Sequence, residues 1–541
     1  MKFRKSERQE IFEQAQNQTF DILIVGGGTI GAGLALEAIS RGLSVILIEK
    51  DDFSEEADFE SIQLFKGGFQ FFKTINFKSF RQEAKEKAIL YRNAPHIVSI
   101  QKIISPIYKV PFYYRIWAFI ILRIYDLLAA MGSQYRGQIL TKSKIIEYFP
   151  LLKEQNLKAG LMYYEYKIQD TRLNIENIKK SVELGALALN YVKFVSFEGL
   201  GKQKNKVRLY DKLTQTYLDI ESKTIIDATR QGLDVSQNNK IPKQSYILPS
   251  KGINIVVSHK KVPIRFPLYF ELENNVIFFV IPVDKKTYIG IENQDLEKNN
   301  IQNNKIDYLL KIFNSYFKTD LRTRDVEQTW GGIRSLKEKK GVNSKEQIIV
   351  QSDSVIRVLG EKQITYRLLS EKTIDKVISL LSSSVQFEQS RTRELFLSGA
   401  NFDFKEIEHH KIVDYVERKF YEAYQLNANT DLINTLFYTY GTNIEKIIEH
   451  AFDIYNELED RSLVWLESEI WYVANYEMLI HLSDFMMRRS NRFYFSNLES
   501  RLQMEKIANI MAKNLNWSKE ELQQEIDNYN KIGEENSLFV E

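Results

Sequence analysis

The segment Phe20–Lys50 (FDILIVGGGTIGAGLALEAISRGLSVILIEK) constrains the fold of this chain more than any other. An apolar run from Ile22 to Val25 breaks into a Gly-x-Gly-x-x-Gly turn at Gly26, Gly28 and Gly31. A helical pattern follows, with apolar positions Ile30, Leu34, Ala35, Ala38 and Ile39, and Gly42 is its stop signal. A second apolar run, Val45 to Ile48, ends in Glu49. Strand, turn, helix, strand and terminal acid in this order predict a βαβ unit that holds a dinucleotide. The first glycine permits a tight turn, the second lets a pyrophosphate approach the backbone, and the third lets helix and strand pack closely. Free N–H groups at the helix N-terminus are donors for the phosphate. Glu49 stands where a carboxylate can accept from a ribose 2′-OH. The alternative is a structural βαβ unit with an empty turn.

A length of 541 residues has room for about three domains with buried cores. The net charge of +3 is too balanced to argue for a nucleic-acid partner, and no Lys/Arg-rich block stands out. Cysteine is absent, which excludes disulfides, thiol catalysis and cysteine-ligated metal and fits a cytoplasmic protein. The first 18 residues are polar and charged and do not read as a signal peptide. The most apolar region, Ile107–Ala130, is interrupted by Lys109, Arg115, Arg123 and Asp126. Its longest uncharged run, Ile116–Leu122, is far below the roughly 20 residues that span a bilayer. It reads as a buried helix or as an interfacial helix lying on a membrane.

Past an acidic stretch (Asp51–Glu60) and a glycine pair (Gly67-Gly68), helical periodicity appears at Asp170–Leu187, followed by short strands up to Ile225-Ile226. Alternating runs between about Pro249 and Gly290 predict strands separated by polar turns. Another strand pair, near Gln347–Val350 and Val355–Leu359, leads into a helix from about Thr365. Amphipathic helical patterns dominate from about residue 385. The expected class is α/β, a Rossmann-like domain with an inserted antiparallel β-rich substrate domain, plus a C-terminal all-α domain. The order suits a flavoprotein, with FAD in the first domain at 1–95, 150–240 and 345–384. Residues 96–149 and 241–344 then form the substrate region, and 385–541 the helical domain.

The chain resembles the FAD-dependent glycerol-3-phosphate dehydrogenases and the related oxidases along nearly its whole length. The carrying segments are the glycine turn, Asp51-Asp52-Phe53, Gly67-Gly68, Asn93-Ala94-Pro95-His96, Asp170-Thr171-Arg172-Leu173 and Lys251-Gly252. Further on come Lys286-Thr287-Tyr288-Ile289-Gly290, Trp330-Gly331-Gly332-Ile333-Arg334, Tyr440-Gly441 and Asp484-Phe485-Met486-Met487-Arg488-Arg489. A short polar loop, Lys337–Gln347, stands where the oxidases carry a long insertion, which leans toward the dehydrogenase branch. The resemblance implies hydride transfer from C2 of sn-glycerol 3-phosphate to FAD, with electrons passed on to quinone or oxygen. Quinone use would place the protein peripherally on the cytoplasmic membrane; a homodimer is the expected assembly. By position, Arg334 would bind the substrate phosphate, and Lys362 and Arg367 would form a basic pair near substrate and flavin. Gly26, Gly28, Gly31, Glu49, Gly67, Gly68, Thr229 and Gly360 would line the cofactor.

The departures from the family pattern cluster where the chemistry should be. Where the family has small residues around the cofactor, this chain reads Ser54-Glu55-Glu56-Ala57-Asp58-Phe59-Glu60. At an effective dielectric near 20, one carboxylate about 4 Å from a pyrophosphate charge costs about 4 kcal/mol. Lys66 replaces a histidine, Gln70 an arginine, and Arg230 and Glu361 replace glycines. Asn254 stands where the family has a histidine, a candidate general base for the C2 hydroxyl. An amide cannot take a proton at neutral pH, and general-base catalysis is typically worth about 10²–10⁴-fold. Lys66 is the replacement base within reach of this argument, if desolvation lowers its pKa. Three readings stand at this point: a dehydrogenase with weakened cofactor binding, a binding paralogue that kept the scaffold, or an oxidoreductase for another substrate.

Overall fold

The computed structural model describes residues 3–55, 77–108, 119, 120, 122–124, 135–199, 204–229, 232, 233, 249–251, 253–272, 276–283, 286–292, 305–330, 333–335, 347–352, 354–360, 363–381, 387–401, 418, 421, 422, 430–490 and 497–537. The apolar run before the glycine turn forms the strand Thr19–Val25, paired in parallel with Val45–Ile48 on one side and Thr216–Asp227 on the other. Ile22, Leu23 and Ile24 are fully buried, as continuous apolar runs in parallel sheets are. The sheet has eight strands. Its main path runs Gln347–Ser352, Val355–Leu359, Thr216–Asp227, Thr19–Val25, Val45–Ile48, Leu187–Leu189. Val192–Gly199 and Asn205–Asp211 extend it as an antiparallel meander onto Thr216–Asp227.

Helices Thr29–Ser40, Asp170–Glu183 and Tyr366–Leu380 cover one face of this sheet, where Ile22 and Ile24 meet Ala35, Ile178 and Leu369. The other face carries Leu23, Ile46 and Ile225, packed with Phe12 of the helix Arg8–Gln16 and with Val207 and Leu209 of the meander. The register brings Val25 level with both Ile48 and Asp227, so three strand ends open onto one edge. In such sheets ligands bind outside the carboxyl ends of the strands.

The second sheet also has eight strands, in the order Val326–Trp330, Ile253–Ser258, Lys286–Glu292, Ile277–Val283, Leu268–Glu271, Val98–Tyr108, Leu157–Ile168, Gln138–Thr141. It is antiparallel apart from one parallel contact, Leu268 with Ile104. Successive side chains point to opposite faces. Phe278 and Val280 therefore meet Leu309 and Phe313 of the helix Lys305–Tyr316. Phe279 and Ile281 share the other face with Leu436, Phe437 and Tyr472 of the C-terminal helices.

The strand Leu157–Ile168 differs from expectation: it runs along Val98–Tyr108 in the second sheet rather than joining the cofactor domain, moving the crossover toward residue 170. An alternating strand carries no mark of which sheet it enters; the partner decides. In the apolar region Ile107–Ala130, Leu122 is buried while Phe119, Ile120 and Ile124 are exposed, and most of the rest lies outside the described residues. Among the described residues, no helix is long and apolar enough to cross a membrane.

The C-terminal domain contains the helices Thr430–Tyr440, Ile444–Ile454, Val464–Tyr476, Asn497–Leu515 and Lys519–Ser537. Ile444–Ile454 shows why they pack: it buries Ile444, Ile447, Ile448 and Ala451 along one stripe. A π-helical turn, Asp484–Arg489, is wholly buried, including its acid and both arginines.

Candidate cofactor and substrate site

The glycine turn is built from backbone crowding. Gly26 takes φ +113°, in the left-handed region, while its N–H still donates to the Ile48 carbonyl at 2.8 Å. A Cβ on Gly31 would stand 1.8 Å from the Gly26 carbonyl oxygen, so the third position admits only glycine. A Cβ on Gly28 would meet nothing within 4 Å. Gly28 is also the N-cap of the helix Thr29–Ser40 and gives it no side-chain cap. The first-turn N–H groups and positive helix end thus face open space, the arrangement that receives a phosphate. Glu49 closes the side of the turn: its carboxylate accepts the Gly27 N–H at 2.6 Å and the Asp51 N–H at 3.1 Å. These residues fit a dinucleotide.

Thr229 lies at the same edge. The buried Asp227 carboxylate accepts the Thr229 N–H at 3.0 Å, the Thr229 hydroxyl at 2.6 Å and the Leu233 N–H at 2.9 Å. The Ala228 N–H donates to Val25, holding this loop beside Gly26. Gly360 leaves the strand Val355–Leu359 three positions after Arg357, which is level with Asp227. It therefore opens onto the same edge. Gly67, Gly68, Lys66 and Lys362 lie outside the described residues, as do Gln70, Arg230 and Glu361.

Of the acids following Ser54, Glu55 is described, and it is turned back on its own loop. Its carboxylate accepts the Asp52 N–H at 3.0 Å, and burial pushes its pKa up. Glu56, Asp58 and Glu60 lie outside the described residues. Ser54 takes φ +68°, donates its N–H to Gly27 O at 3.2 Å, and accepts from Asn174 at 2.6 Å.

On the substrate side, Asn254 is buried in the strand Ile253–Ser258, level with Gly290 on one neighbour and Trp330 on the other. A Cβ on Gly290 would stand 2.2 Å from Asn254 Oδ1 and 2.1 Å from Phe279 Cζ, so this glycine makes room for both side chains. Arg334 lies in the strand Ile333–Ser335, opposite Ser250 of Pro249–Lys251. Chain continuity puts that short ribbon immediately before the strand of Asn254. The sequence thus brings Arg334 and Asn254 to one end of the second sheet.

Arg367, expected beside substrate and flavin, has other partners. Its guanidinium is buried and forks onto Glu86 at 2.7 and 2.8 Å, with a further bond to Glu371 at 2.7 Å. Burial works against its charge, but Glu86 and Glu371 outweigh it and hold the group above the usual arginine range. It ties the helix Phe77–Asn93 to Tyr366–Leu380. The motif could not show this, because Glu86 is 281 positions away. His96 is buried, and burial followed by the charges of Arg172 and Lys179 drives its pKa well below the usual value. It is neutral and structural.

Sequence reasoning gave no role to a buried ionic network joining the cofactor domain to the C-terminal domain. Arg172 forks onto Glu477 at 2.8 and 2.9 Å and also bonds Glu176; Lys179 bonds Glu477 at 3.1 Å and the Tyr472 hydroxyl at 2.8 Å. Asp52 lies between Arg488 and Arg489. The available signal was two arginines closing a short apolar run, Phe485-Met486-Met487-Arg488-Arg489, which must find acids if buried.

A family model described as FAD dependent oxidoreductase matches residues 21–359. The chain belongs to this family. The match takes in strands of both sheets, so the β-rich sheet is part of the family's own architecture. A second model, the C-terminal domain of alpha-glycerophosphate oxidase, matches residues 390–522. The aerobic glycerol-3-phosphate dehydrogenase of Staphylococcus haemolyticus is 29% identical over 94% of this chain and 94% of its own length. That of Bacillus subtilis is 28% identical over 98% and 97%. The crystal structure of the glycerol-3-phosphate dehydrogenase from Bacillus halodurans complexed with FAD superposes with a TM-score of 0.78. It is 27% identical and covers 98% of this chain and 97% of that one. FAD is the dinucleotide that this family and this turn geometry share.

Proposed function

We propose that this protein oxidises sn-glycerol 3-phosphate at C2 to dihydroxyacetone phosphate, with FAD as the hydride acceptor. The observation that carries the reading is a collinear likeness to aerobic glycerol-3-phosphate dehydrogenases over nearly both full lengths, on a chain whose glycine turn is built for a dinucleotide. When bound, FAD supplies a two-electron acceptor. Gly26, Gly28, Gly31, Glu49, Thr229 and Gly360 would hold it, together with Gly67 and Gly68. Arg334 takes the substrate phosphate through a bidentate fork, for which arginine is suited over lysine. Lys362 would add positive charge for the same phosphate.

Oxidation of a secondary alcohol releases the C2 hydrogen as hydride and the hydroxyl hydrogen as a proton. Asn254 can position that hydroxyl by hydrogen bonding but cannot accept its proton; Lys66 would be the base where desolvation lowers its pKa. Electrons then pass to a quinone at a membrane surface or to oxygen. The test is a visible spectrum of the protein incubated with FAD, desalted, and mixed anaerobically with glycerol 3-phosphate. A flavin spectrum that bleaches is the expected result. A flavin that stays oxidised would overturn the substrate, and a colourless protein would overturn the cofactor.

A further inference from the structure

We infer that the C-terminal helical domain holds the cofactor loop in its binding shape through Asp52, so that FAD binding and the docking of that domain are coupled. The inference rests on the FAD reading above. The loop in question, Glu49 to Ser54, grips the turn at Gly27 in three ways: the Glu49 carboxylate accepts its N–H, Ser54 donates to its carbonyl, and the Phe53 ring fills the space beside its Cα. A Cβ on Gly27 would stand 2.8 Å from Phe53 Cδ1. The shape of this loop therefore sets the shape of the phosphate turn.

Leu189, Tyr191 and Val192 hold Glu49 and Asp51 through backbone bonds, and Asn174 holds Ser54, whereas the Asp52 side chain between them is fixed mainly by residues 475–489. The fully buried Asp52 carboxylate accepts from Arg488 Nε at 2.6 Å and from both terminal nitrogens of Arg489, Nη2 at 3.0 Å. Asn190 Nδ2 also donates to it at 2.8 Å and reaches the Met478 carbonyl at 3.1 Å. Arg489 is anchored in turn on the Glu477 carbonyl at 2.9 Å, and Arg488 on Asp484 at 2.7 Å. A second, apolar tie runs parallel. Phe53 stacks on Phe3 with ring centres 6.1 Å apart, and Phe3 is hydrogen-bonded through its backbone to Asn475 and Met478.

Removing one partner of a buried ion pair leaves an uncompensated charge, so a loop that loses Arg488 and Arg489 must open to hydrate Asp52. An open loop no longer presents Glu49, Phe53 and Ser54 to Gly27. Linkage then works both ways: whatever factor the docked domain adds to FAD affinity, FAD adds to docking. Arg488, Arg489 and Asp52 are positioning residues in this scheme.

The experiment is an FAD titration of the full-length apo-protein, followed by quenching of flavin fluorescence, for wild type, Asp52→Asn, Arg488→Lys and Glu165→Gln. The last breaks a buried ion pair, Lys87–Glu165, that does not touch the turn. Asp52→Asn is expected to raise the FAD Kd at least tenfold, and Glu165→Gln less than twofold at a comparable loss in Tm. Hydrogen exchange of residues 484–489 is expected to slow on adding FAD to wild type and not to Asp52→Asn. An unchanged Kd in Asp52→Asn, or an equal rise in Glu165→Gln, overturns the coupling. If Asp52→Asn does not fold, Arg488→Lys, which keeps every charge, is expected to raise Kd about threefold; no rise overturns the inference. A wild type that binds no FAD removes the reading beneath the inference as well, which an unresponsive Asp52→Asn does not.

Discussion

At the cofactor edge, the crowding that demands glycine is backbone against backbone: a methyl group on Gly31 would lie 1.8 Å from the Gly26 carbonyl oxygen. At the second sheet it is backbone against side chain, where a methyl on Gly290 would meet the tips of Phe279 and Asn254. The first kind of contact has no relief, because the main chain of a βαβ unit cannot shift without breaking its ladder. The second can be relieved by a rotamer change or a smaller neighbour. A binding turn of the first kind is therefore fixed by its residue pattern, whereas a site of the second kind can drift in chemistry while the fold persists. Asn254, beside Gly290 and Phe279, sits at a contact of this second kind.

The largest expected effect tests the rigid half of this contrast. Gly31→Ala should abolish FAD retention, with no flavin absorbance after desalting and a Kd raised more than 100-fold. Retention of flavin would break the distinction. The adaptable half is tested by Asn254→His, which should raise turnover about tenfold or more if proton transfer to Lys66 limits the rate and a histidine at 254 is the better base. Unchanged turnover would show that the lost histidine does not limit the rate. Gly290→Ala should cost about 1–3 kcal/mol of stability through overpacking. In thermal unfolding Tm should fall, while FAD Kd stays within about threefold of wild type.

A smaller contrast lies in pH. Burial opposes ionisation of Asp52 and Glu477, but Arg489 and Arg488 at the first, and Arg172 and Lys179 at the second, hold both carboxyls down at about 2. Carboxyls with lowered folded-state values stabilise the fold above their unfolded value, near 4, and lose that contribution as pH falls through their folded value. Denaturation midpoints should therefore drop between about pH 4 and pH 2, less so in Asp52→Asn. His481 is smaller and opposite in sign. Burial works against its charge, but hydrogen bonding to Glu525 and the charge of Asp484 raise its pKa. Its contribution is present below about 6.5 and fades as pH rises through the folded value. Glu525→Gln should flatten that alkaline slope in urea midpoints measured between pH 6 and 9.

The parts of this molecule legible in the sequence are those set by neighbours along the chain. The glycine turn, the strands flanking it and the C-terminal helices each announce themselves within a few residues, through spacing or period. Parts set by distant partners were not legible. Leu157–Ile168 alternates as well for one sheet as for the other, until Val98–Tyr108 pairs with it. Arg367 at a helix start reads alike whether it faces a ligand or Glu86. The placement of Arg334 opposite Ser250 follows from a ribbon that no local pattern specifies.

The loop that carries Asp52 has a place in time as well as in space. Arg488 lies 436 positions further along the chain. At about 5–20 residues per second, ribosomal synthesis reaches Arg488 roughly 20 to 90 seconds after Asp52. During that interval the first strands and the glycine turn can form from contacts already made, while the Asp52 carboxylate stays in water for want of its cations. The loop beside the phosphate turn is thus among the first structures that synthesis makes possible, while its Asp52 contacts are among the last to be finished.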